Sequence, residues 1–236
     1  MKKLNRKINI ITNVLLVAVF SVVFAVCFFV ENVSPIYGGN EISAIYNGNR
    51  QNKKVSLMFN VYENTAVVNE IVKTLDNYGV KATFFVGGCW ADDNGETLKK
   101  IVESGHEIAN HGYFHKDHKK LSLEQNEQEI TLTSAIIEAL CGVKPTLFAP
   151  PSGSFSDLTL EVCYRLNYKV IMWSKDTIDW RDSDLNVLYN RATKSPENGD
   201  LILMHPKAHT LKVLPRIIEF YSDLGFEIVS VSDNII

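Results

Sequence analysis

The chain has 236 residues, 46% hydrophobic and 22% charged, with a formal net charge of −3 and four cysteines. That is enough apolar material for one globular domain and an appendage. Lys2, Lys3, Arg6 and Lys7 precede every acidic residue, so the remainder carries 20 Lys and Arg against 27 Asp and Glu. Such a balance excludes the basic footprint that nucleic acid calls for. Cys89, Cys141 and Cys163, the three beyond the apolar start, show no metal-type spacing and are odd in number, so they form no disulfide framework. They read as small buried apolar residues.

In chain order, the basic start is followed by Ile8 to Val30, which contains no charge. That length crosses a hydrocarbon core of ~30 Å as a helix. The basic flank sets the N-terminus in the cytoplasm and the following domain outside the membrane. The expectation for residues 1–30 is therefore a single-pass anchor in the cell membrane. A cleaved signal and a secreted domain are the alternative, disfavoured because no small-residue cleavage site follows the run. Residues 31–53, rich in Asn, Gly and Ser, read as a linker.

From residue 54 to 236, short apolar strands alternate with amphipathic helices. The strands are expected at Val55–Asn60, Ala82–Val86, Glu107–Asn110, Leu147–Ala149, Lys169–Trp173, Asp200–His205 and Glu227–Ser230. Helices are expected at Thr65–Tyr78, Glu96–Ser104, Leu123–Leu140, Asp157–Asn167, Leu185–Thr193 and His209–Leu224. Gly79, Gly105 and Gly142 stand where C-terminal caps fall. Alternation of this kind predicts an α/β domain with a mostly parallel sheet, open or closed into a barrel of about seven strands.

Polar residues collect just past the strands: Asn60 and Glu63, His111 and His115, Pro150–Gly153, Asp176, Asp179 and Trp180, and His205. Loops at one edge of a parallel sheet converge, so these residues are expected to share a pocket. His111 and His115, four positions apart, suit one divalent metal, since neutral imidazole is a common ligand for zinc and similar ions. By itself the spacing is weak, because His-x-x-x-His also arises by chance. His106, His118 and His209 read as structural, as do Trp90 and Trp173. Trp180 reads as a platform for stacking.

These segments together resemble the NodB-homology polysaccharide deacetylases, carbohydrate esterase family 4. The resemblance rests on Lys81–Gly87, Gly105–His111 through His115, Phe148–Gly153, Asp176-Thr177-Ile178-Asp179-Trp180 and Leu203-Met204-His205, and covers about Val55 to the C-terminus. It implies a distorted (β/α) barrel and hydrolysis of N-acetyl amide bonds in a cell-wall glycan such as peptidoglycan, assisted by a divalent metal, zinc first. Carried onto this chain, it makes His111 and His115 metal ligands and His205 the general acid. Asp176 or Asp179 orients that acid, Asn60 stands at the catalytic base, and Trp180, Pro151 and Tyr62 face the glycan.

The departures fall where the chemistry is most demanding. The family's first motif, Thr-Phe-Asp-Asp-Gly, is here Met58-Phe59-Asn60-Val61-Tyr62. The base position is an amide, which cannot accept a proton at useful pH. The metal-carboxylate position is Val61, and the third-motif arginine is Ala149. These losses agree with one another, since an arginine that paired a buried carboxylate becomes an unpaired charge once that carboxylate is an amide. Three readings follow: a metal-assisted deacetylase with a rebuilt site, in which Glu63 supplies a further donor (Asp117 and His118 are also near in sequence); a weak hydrolase without a protein base; and an inactive glycan-binding or scaffolding protein. Hydrolysis is the leading expectation and the inactive protein its alternative.

Overall fold

The computed structural model describes residues 13–22, 24, 36–37 and 40–236. The chain divides into two compact units at Ile42 and Ser43. In the first, residues 13–22 and 24 are helical, and Ile36–Tyr37 pairs antiparallel with Asn40–Glu41. Most of the expected anchor lies outside the described residues, and among the described residues no helix is long and apolar enough to cross a membrane.

The second unit is built in the expected alternation. In chain order it comprises β1 (Lys54–Val61), α1 (Thr65–Tyr78), β2 (Thr83–Val86), α2 (Gly88–Asp93), α3 (Gly95–Glu103), β3 (Glu107–Asn110), α4 (Leu123–Cys141), β4 (Leu147–Phe148), α5 (Asp157–Arg165), β5 (Lys169–Val170), β6 (Lys175–Asp176), α6 (Leu185–Thr193), β7 (Asp200–Met204), α7 (Ala208–Asp223), β8 (Glu227–Ile228) and α8 (Val231–Asn234). The strands lie parallel in the order β5-β4-β3-β2-β1-β7-β6, and β8 pairs with the start of β1. This is an open parallel barrel of seven strands with an eighth beside its centre.

The helices follow local rules. α1 buries Val68, Ile71, Val72 and Leu75, the three-and-four spacing of one helix face. It ends at Gly79, whose φ of 66° is cheap without a Cβ. α4 begins with a capping box between Ser122 and Gln125.

Strand alternation sorts the apolar residues into two layers. Val55, Leu57, Phe59 and Val61 of β1 point outward into the core shared with the helices. Met58 points inward, where it packs with Phe85, Ala109, Leu147, Ala149, Ile171, Leu201 and Leu203 inside the barrel. Successive side chains of a strand face opposite sides of the sheet. Asn60 therefore faces in and Val61 faces out.

One expectation is corrected here. The segment up to residue 53, read as a linker, is packed structure from Ile45 onward. Ile45 bridges to Ile171, donating to the Val170 carbonyl at 2.8 Å and accepting from Met172 at 2.7 Å. The amides of Gly48 and Asn49 donate to the carbonyls of Gly199 and Asn234, each at 2.7 Å. The backbone bonds that hold this stretch use no apolar periodicity, so the polar sequence conceals them.

Candidate active site

The C-terminal ends of the strands surround a cavity of about 380 Å³ lined by Asn60, Tyr62, His111, His115, Ser152, Trp173, Asp176, Trp180, Leu203 and His205. The loops at one edge thus bring together residues from six strand ends. Of the residues expected to share the pocket, Glu63, Pro150, Pro151, Gly153 and Asp179 do not line the cavity. Asp179 is buried directly behind His205, Pro151 is buried beside Ser152, and the Glu63 carboxylate accepts from Lys207.

One side of the cavity is fully partnered. Asp179 Oδ1 lies 2.7 Å from His205 Nδ1, while Oδ2 accepts the His205 backbone N–H at 2.7 Å and the Thr210 hydroxyl at 2.6 Å. A carboxylate with both oxygens engaged fixes the imbracing imidazole in one orientation, with Nδ1 as the donor. The Asp179 carbonyl in turn accepts from His209 Nε2 at 2.7 Å. Asp176, two residues before Ile178, accepts that residue's N–H at 2.7 Å, and burial raises its carboxyl above the usual range. Ile178 between the two aspartates holds a φ of 54°, an outlier for a β-branched residue.

The other side is under-partnered. His111 is fully buried, with Nδ1 2.7 Å from the Ala149 carbonyl. Its Nε2 and the Asn60 Oδ1 are buried without a hydrogen-bond partner. Burial pushes the His111 imidazole well below its ordinary range and lowers His115 as well. The two rings stand 5.1 Å apart between centroids, and the Tyr62 ring lies 4.3 Å from that of His115. The loop that carries them is held from below. Glu129 of α4 accepts the N–H groups of Tyr113 at 2.8 Å and Phe114 at 2.7 Å, and pairs with Lys116 at 3.0 Å.

The donor set does not fit a resident catalytic ion. Two imidazoles face the cavity, but Val61, at the metal-carboxylate position, is buried in the outer core. Among the described residues no group of three His, Cys, Asp or Glu side chains is placed to hold a metal. Ala149, at the arginine position, is part of the inner cluster and contributes only its carbonyl.

Several cavity residues escaped the sequence reading. Trp173, read as core, lines the cavity, and so does Leu203. Thr210 and His209, at the start of α7, hold Asp179. No local pattern marks them, because the residue they bind, by its carboxylate for Thr210 and its backbone carbonyl for His209, is some thirty residues away in sequence.

The fold and this arrangement are those of a sugar-chain deacetylase domain, and the comparisons agree. The family model for polysaccharide deacetylases matches residues 47–171. The chain belongs to the polysaccharide deacetylase family, whose members hydrolyse carbon–nitrogen bonds other than peptide bonds and generally depend on a divalent metal. It is 36% identical to an uncharacterised Bacillus subtilis protein, YlxY, over 80% of this chain and 59% of that one. It is 32% identical to the Bacillus subtilis peptidoglycan-N-acetylmuramic acid deacetylase PdaC, over 76% of this chain and 38% of that one. The chain therefore spans less than two thirds of the length of these curated relatives. Among solved structures, a Bacillus anthracis protein described as a CE4 family pseudoenzyme superposes with a TM-score of 0.81 at 32% identity, covering 86% of this chain and 73% of that one. A mutant of it is described as having restored enzymatic activity.

Proposed function

We propose that this chain binds N-acetylated cell-wall glycan, peptidoglycan above all, in the strand-end cavity, and that its hydrolysis of the N-acetyl amide bond is impaired. One observation carries the reading: the acid side of the cavity is complete, while the base and metal side has lost its carboxylates. His205, oriented by Asp179, stands ready to give a proton to a leaving amine. On the opposite wall Asn60 cannot take a proton from water, a loss that costs about 10²–10⁴-fold in rate. The missing metal carboxylate compounds that deficit. Trp180, 54% exposed beside the cavity mouth, offers a sugar ring its face. The restored Bacillus anthracis mutant supports a loss of activity that leaves the fold whole.

Calorimetry of the purified full-length chain with N-acetylglucosamine oligomers and peptidoglycan fragments, paired with an acetate-release assay, tests this. Measurable binding with acetate release at or near background is expected. Release at the rate of an active deacetylase, abolished by His205→Ala, overturns the impairment. Absence of binding overturns the glycan reading. The location is part of the same proposal: the uncharged stretch 8–30 behind its basic start anchors the domain on the outer side of the cell membrane. Protease added to intact protoplasts then removes the domain, whereas protection contradicts that placement.

A further inference from the structure

We propose that the floor of the cavity takes the free amine of a de-N-acetylated amino sugar in preference to its N-acetylated form. This rests on the reading above that the cavity binds cell-wall glycan, and concerns the sugars of that glycan whose acetyl group has been removed.

The floor presents acceptors. Asn60 Oδ1 can only accept a hydrogen bond. His111 Nδ1 faces the Ala149 carbonyl, which also only accepts, so Nδ1 carries the hydrogen and Nε2 keeps its lone pair. Both atoms are buried and unpartnered on residues that line the cavity. An unpaired buried acceptor is costly, so a group that donates to both gains what the free protein lacks. The Asp176 carboxylate lines the same cavity.

No lysine or arginine is among the lining residues. Lys207 is held by Glu63, and Arg181 and Arg191 pair with Asp182 at 3.0 and 2.7 Å. Position 149, where the family motif carries arginine, is alanine.

An N-acetyl group sets a carbonyl oxygen, a further acceptor, against this floor. An ammonium brings three N–H donors and a positive charge that a carboxylate-lined cavity favours. The ligand class is thus a glucosamine- or muramic-type sugar with its acetyl group already removed. The reaction that must supply it is hydrolytic N-deacetylation of the same glycan, carried out by an intact enzyme.

The test is calorimetry of the full-length chain at neutral pH with EDTA, comparing a glucosamine tetramer with an N-acetylglucosamine tetramer. The free-amine tetramer is expected to bind at least about tenfold more tightly, as charge-assisted bonds warrant. Asp176→Asn and Asn60→Leu, each checked for a native thermal transition, are expected to remove most of that preference, because both take an acceptor from the floor. Equal binding of the two tetramers, with only water on the floor, overturns the inference and leaves the glycan reading standing. So does a preference that survives both substitutions, or one for the N-acetylated tetramer that appears when zinc replaces EDTA. Binding of neither overturns both.

Discussion

The two walls of the cavity are built to different standards. Around Asp179 every carboxylate oxygen is engaged, by His205 twice and by Thr210 once. Across from it, Asn60 Oδ1 and His111 Nε2 are buried and bare. A buried polar group without a partner is costly, so a wall that tolerates two of them is shaped by something other than stability. The contrast separates a wall whose polar groups satisfy one another from a wall that leaves two acceptors for something else.

Substitutions on the two walls should respond with different magnitudes and signs. Asp179→Ala strips three donors of their acceptor and is expected to cost roughly 4 kcal/mol in chemical denaturation. A loss under about 1 kcal/mol would erase the distinction between the walls. Val61→Asp drives a carboxylate into the outer apolar core and is expected to cost about 3 kcal/mol. Zinc should not recover that loss; recovery would mean that the end of β1 turns residue 61 toward the histidines.

Asn60→Asp is the gain-of-function counterpart. Asn60 faces the same cavity as His111 and His115, so a carboxylate there completes three donors. Zinc at a hundredfold excess over its dissociation constant then stabilises the variant by about 2.7 kcal/mol in thermal melts, with little effect on the parent chain. No zinc shift in the variant would mean that the imidazoles diverge from residue 60. The smallest effect is expected from Asn60→Leu. Replacing an unpartnered acceptor by an apolar group of similar size should change stability by less than about 1 kcal/mol, in either direction. A large loss would reveal a partner for Asn60.

Much of this was legible in the sequence. Thr65–Tyr78, Glu107–Asn110 and Leu185–Thr193 have the bounds their periodicity and caps predict, because local pattern and burial agree there. The strands read as Leu147–Ala149 and Lys169–Trp173 shrink to two residues each, since the barrel keeps few ladder bonds on that side. The Lys175–Asp176 strand is too short to announce itself. At the site, motif spacing brought His111, His115, Asp176, Trp180 and His205 to one cavity. What it did not reveal is that β1 runs one residue past Asn60, so that its alternation carries Val61 into the outer core and away from the cavity.

Among the described residues, six other than glycine hold a positive φ, and His115, Ser152 and Ile178 belong to the loops of this cavity. Such conformations cost of order 1–3 kcal/mol each and persist where the surroundings impose them. Ile178 is the extreme case, since asparagine or glycine would relax it by a single change. An isoleucine held at this φ between Asp176 and Asp179 therefore makes the loop beside the cavity a place where the surrounding packing, and not local preference, sets the backbone.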